Sequence, residues 1–246
     1  MNFLNLVKNI LLKSQFYVSF CATFLGVFVL QEQESYHFPL AMILFITFWN
    51  GYLFTVFHKK KMAILVNVVG FLIINLIIYQ FIDIHFYIKW LIVLFLGFIY
   101  NADFMNVNLR EFSIIKTFYV GFIWAISLVW LPLEYFNWSW FFIIFFFISA
   151  ITFPFEIRDL KRDQFITLPK KIGIENTKIL SYFFLILSAI LAFNTLKPIY
   201  AFSFLGTCVF ATVLVYFSSE KQKDCYYSFL MESLSTLPFL ILVLIK

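Results

Sequence analysis

Long apolar blocks separated by short polar stretches recur along the chain, at 16–30, 38–57, 62–82, 87–102, 114–133, 137–156, 176–194, 198–217 and 229–245. None alternates apolar and polar residues with a period of two, so each block predicts a helix. Most reach the ~20 residues that a helix needs to cross a hydrocarbon core, and lipid offers an open backbone no partner. The pattern predicts an all-α integral membrane protein, a bundle of nine transmembrane helices forming one domain over 1–246. Composition agrees, with 63% hydrophobic residues and only 13% charged. The longest polar stretch, roughly 157–175, is too short for a soluble domain.

The basic residues orient the bundle. With the N-terminus inside, only Lys89, Lys197 and Lys246 of the 18 Lys and Arg fall outside, a strong positive-inside bias. The expected location is the bacterial cytoplasmic membrane, with the C-terminus outside and Trp90, Trp130, Trp138 and Trp140 forming an aromatic belt near the outer face. The net charge of +5 then faces anionic headgroups and gives no reason to invoke nucleic acid. Residues 1–15 carry Lys8 and Lys13 but are followed by no small-x-small cleavage site, so they read as a short interfacial helix before a retained first span. Cys21, Cys208 and Cys225 show neither metal spacing nor a disulfide framework. The 37 phenylalanines, beside abundant Ile, Lys and Asn, read as codon usage rather than as a lined pocket.

One stretch is unlike the rest. From Glu156 to Lys171, directly after an apolar run, stand three carboxylates and five basic residues. Glu156, Asp159 and Asp163 are offset by three and four positions, which puts them on one face of a helix. Three carboxylates on one face form a site for a hard cation such as Mg2+ and for the diphosphate it carries. Arg158, Lys161 and Arg162 are expected to point away from that face, towards headgroups or partners within the helix. Lys116, just inside a span, is costly there unless it faces a polar cavity. Glu232, early in the last span, faces either that cavity or a cation at its rim, and Asn67 and Asn75 read as packing residues.

These residues resemble the UbiA-type intramembrane prenyltransferases. Glu156, Asp159 and Asp163, followed by Thr167-Leu168-Pro169 and Gly173, resemble the family's second aspartate-rich motif at the end of its sixth helix. Tyr100, Leu109-Arg110-Glu111, Lys116 and Phe122-Ile123-Trp124-Ala125 resemble its link from helix 4 to helix 5, and Tyr226-Tyr227-Ser228-Phe229 with Glu232 and Pro238 the start of its last helix. The first motif departs from the family pattern. Asn50 is retained, but Gly51, Phe54 and His58 stand where aspartates are usual.

The resemblance implies a nine-helix bundle with a central cavity opening to the cytoplasmic side. It implies Mg2+-assisted transfer of an isoprenyl group from a prenyl diphosphate to an aromatic, quinone-type or lipid acceptor. In that assignment Glu156, Asp159 and Asp163 hold the metal, and Asp159, Asp163 and Lys116 act in catalysis. Asn50, His58, Lys59 and Arg110 contact the diphosphate, His58 and Lys59 replacing part of the lost first motif. The alternative is a catalytically degenerate prenyl-lipid-binding or accessory membrane protein. A transporter is disfavoured because the spans look unbroken and the charges gather at one face rather than at the midplane.

Overall fold

The apolar blocks fold as helices. A computed structural model describes residues 15–57, 61–81, 83–101, 113–161 and 167–246. Its long helices are α1 (Phe16–Glu32), α2 (Phe38–Phe57), α3 (Lys61–Phe81), α4 (Ile84–Asn101) and α5 (Ser113–Ala125). They continue with α6 (Trp138–Arg158), α7 (Ile174–Thr195), α8 (Pro198–Phe217) and α9 (Leu237–Ile245). A short helix, Leu168–Ile172, precedes α7. There are no strands among the described residues. Five segments are long and apolar enough to cross a membrane, namely Phe38–Phe57, Ala63–Phe81, Trp138–Lys161, Ile174–Thr195 and Pro198–Phe217.

Local chemistry moves several boundaries. The α4 helix begins before 87 because the Asp83 carboxylate accepts from the Phe86 N–H at 2.9 Å, a cap the apolar pattern does not reveal. Asn137 caps α6 in the same way, accepting from the Trp140 N–H at 3.1 Å. The fifth apolar block ends in a π-helical turn, Ile126–Trp130, ahead of Pro132.

The last block is not an unbroken span. A π-helical turn, Tyr226–Met231, gives way to turns at 234–236 before α9 starts with Pro238 in its first turn, where a missing N–H does no harm. Pro154 sits inside α6, so the Ala150 carbonyl loses its helical donor, and the Ser181 hydroxyl of α7 donates to it instead at 2.6 Å.

Most successive helices pack on one another, α4 packing more on α2 than on α3, and α9 returns onto α1. Of the five long apolar segments, the one built on α6 is the most enclosed, and α6 is held between α5 and α7. Gly121 brings α5 close to it, for a Cβ there would stand 2.9 Å from the Phe145 carbonyl. Two of the four tryptophans expected in an outer aromatic belt face the interior. Trp138 is exposed, but Trp90 and Trp140 are fully buried because each indole N–H has an interior acceptor. These are the Thr47 hydroxyl at 3.0 Å and the Glu32 carboxylate at 2.8 Å.

Candidate functional site

The last turn of α6 and the first turns of α5 meet at one end of the bundle, and there the ionic side chains pair. Lys116 Nζ lies 2.8 Å from Glu156 Oε1, and the Glu156 side chain is only 1% exposed. The helix stops at Arg158, and Asp159 opens a 3-10 turn to Lys161. Leaving the helix lets Asp159 turn back onto its neighbour. Arg158 donates from Nε and Nη2 to the two Asp159 oxygens at 2.8 and 2.7 Å, a bidentate clamp. The guanidinium also lies over the rings of Phe155 and Tyr227, at 5.2 and 5.6 Å. Lys161 reaches Glu220 at 2.7 Å, tying the turn to the chain beyond α8.

Beside this end, α2, α3, α4 and α5 enclose a cavity of about 540 Å3. Its walls are mainly aromatic: Phe48, Tyr52 and Phe54 from α2, Phe71 from α3, Trp90, Phe95, Phe98 and Tyr100 from α4, and Tyr119 and Trp124 from α5. The Trp124 indole donates to the Tyr52 hydroxyl at 3.2 Å. Asn50 lines the same space and is held against α3, where Gly70 leaves it room. Its amide donates to the Asn67 carbonyl at 3.5 Å. Phe71, Phe95 and Phe98 are exposed at the rim, so the cavity opens on the flank of the bundle.

Several expectations need correction. Glu156 and Asp159 do not form one helical row, since the helix ends between them. Arg158 does not point away from the acids but grips Asp159. The phenylalanines do line a pocket. Of the expected site residues only Asn50 borders that cavity, whereas Lys116, Glu156 and Asp159 lie outside its lining. His58, Lys59, Arg110 and Asp163 fall outside the described residues. Among the described residues no group of three acidic, histidine or cysteine side chains is arranged to hold a metal.

Sequence reasoning missed Tyr52, which caps Trp124 and lines the cavity, because an aromatic in an apolar run carries no pattern of its own. At the opposite end, Glu34 and Lys197 form an exposed ion pair between the α1–α2 loop and the start of α8. The hydrogen bond from Lys197 lowers the Glu34 pKa and raises that of Lys197. No family model, curated protein or solved structure matches the chain.

Proposed function

We propose that this chain is a membrane prenyltransferase of the UbiA type, acting at the inner face of a bacterial cytoplasmic membrane as a nine-span bundle. The observation that carries the reading is the aromatic-walled cavity of about 540 Å3 beside the end where α6 presents Glu156 and Asp159. Its volume is in the range of ordinary ligand pockets, and its flank opening suits a lipophilic substrate. In the reaction, the allylic C–O bond breaks and its electron pair leaves with the diphosphate. The acceptor then supplies the pair for the new bond and releases a proton.

The carboxylates of Glu156, Asp159 and Asp163 are oxygen donors of the kind that suits Mg2+. The ion would stabilise charge on the leaving diphosphate. Lys116 and Arg158 hold the two described carboxylates now; exchanged onto a diphosphate, both are cations matched to its oxygens.

The test is release of pyrophosphate by the purified protein from a panel of prenyl diphosphates with Mg2+. Mg2+-dependent release, lost in Asp159→Asn, is the expected result. Silence across the panel overturns the reading. A second reading, a degenerate prenyl-lipid-binding protein, is favoured by the fact that Lys116 and Arg158 already neutralise Glu156 and Asp159.

A further inference from the structure

A second concavity lies at the end of the bundle away from the ionic turn, where α4 and α6 begin. It is a groove of about 300 Å3, walled by Ile92 and Leu96 of α4, by Ile126 and Trp130 of the π-helical turn, and by Phe136 and Trp138 at the approach to α6. Ile92 and Trp138 are exposed, so the groove opens on the flank of the bundle. It shares no residue with the aromatic cavity.

Lys89 stands at the head of this groove. Lys89, Ile92 and Leu96 are offset by three and seven positions, which puts them on one face of α4. From Lys89 to Leu96 is about 10 Å along the helix axis, against roughly 15 Å for the hydrocarbon depth of one leaflet. The Lys89 Nζ donates to the Leu133 carbonyl at 2.9 Å and lies 5.8 Å from the centre of the Trp130 ring. An ammonium carries three donors, so two remain, and Lys89 forms no ion pair among the described residues.

Glu134 follows Leu133 directly, so its backbone adjoins the carbonyl that holds Lys89. It is exposed and is in no ion pair among the described residues. Asp83, at the start of α4, already caps the Phe86 N–H at 2.9 Å. The helical stretches beside the groove, Ile84–Tyr100 and Ile115–Trp130, are both shorter than a full crossing. Short spans draw the headgroup layer inward, towards Lys89. A cation and a carboxylate thus stand together above a strip of apolar side chains.

We propose that this groove binds one phospholipid with a zwitterionic, primary-ammonium headgroup, of the phosphatidylethanolamine type. One acyl chain lies along Ile92, Leu96, Ile126 and Trp130, Lys89 takes the phosphate, and Glu134 takes the ammonium. Glu134 sets the preference, because an anionic headgroup such as phosphatidylglycerol is attracted by Lys89 but gains nothing from the acid. The site does not depend on the transferase reading.

Native mass spectrometry reads the site. The full chain, stripped of lipid in detergent, is titrated with phosphatidylethanolamine or phosphatidylglycerol of identical acyl chains. The wild type should bind one phosphatidylethanolamine about fivefold more tightly than phosphatidylglycerol. Lys89→Met should weaken both by about fivefold, and Lys89→Arg should keep both. Ile126→Trp, which fills the groove and leaves the charges in place, should also weaken both.

Glu134→Gln should erase the preference between the two lipids. Glu134 is exposed, so this variant carries the test even if Lys89→Met does not fold. Equal affinities in the wild type overturn the proposal, as does an undiminished preference in Glu134→Gln. A dimer that Ile126→Trp abolishes, with lipid binding unaltered, also overturns it, since a second copy of the chain then fills the groove.

Discussion

Replacing Lys116 with Met tests whether the ionic end of the bundle is one coupled unit. The Glu156 side chain is 1% exposed and Lys116 17% exposed, so the pair is sealed mainly on the acid's side. Removing Lys116 takes the 2.8 Å ion-pair partner from a carboxylate with little access to water, and breaking a buried pair in this way costs up to about 3–5 kcal/mol. Glu156→Gln is milder, about 1–3 kcal/mol, since the longer lysine stem can carry its ammonium towards the surface. The double variant Lys116→Met/Glu156→Gln removes both charges of the pair. It should cost less than the sum of the two single changes, with a coupling of about 2–3 kcal/mol.

Reversible unfolding of the four proteins in detergent measures the cycle, and strictly additive effects would refute the reasoning. The same variants bear on function. A divalent ion bound by Glu156 competes with Lys116, so Lys116→Met should bind Mg2+ more tightly than the wild type. An unchanged affinity removes Glu156 from the metal's ligands.

Gly70→Ala should destabilise the protein by about 1–3 kcal/mol, because the new Cβ would stand 2.6 Å from Asn50 Oδ1 and 2.9 Å from its Cγ. Asn50→Ala in the same chain should restore much of the unfolding midpoint; if it does not, the clash lies elsewhere. The Glu34 pKa is lowered in the fold, so the contribution of its pair with Lys197 is present above the ordinary carboxylate pKa and is lost as pH falls through the lowered value. Lys197→Met should move the Glu34 carboxyl midpoint upward in an NMR titration, and an unmoved midpoint would break that account.

Where the sequence reading held, one-dimensional rules sufficed. The block at 38–57 became α2 and that at 198–217 became α8 with no change of boundary, because each is a continuous apolar run ended by polar residues or proline. The failures each involved a side chain acting across the chain or against regular geometry. Adjacent residues on a helix do not face each other, so the Arg158–Asp159 clamp was invisible until the helix was seen to stop between them. The π-helical turn before Glu232, which packs on α6 and α8, has no local signature in the sequence. The cavity escaped notice for a similar reason: its aromatic walls come from four helices, and no spacing in the sequence relates Phe48, Phe71, Phe98 and Trp124. Glu156, by contrast, was legible as a residue in need of a partner, since an acid at the end of an apolar run is costly alone, though the run could not say that Lys116 is among its partners.

The exposed rim formed by Phe71, Phe95 and Phe98 has a bearing on how any occupant of the cavity is supplied. A molecule that arrives sideways from lipid is already desolvated and partly oriented, so its occupancy follows its mole fraction in the bilayer rather than its concentration in water. Saturation curves for such a protein then scale with the amount of lipid in the assay, and an apparent affinity has meaning only beside that amount.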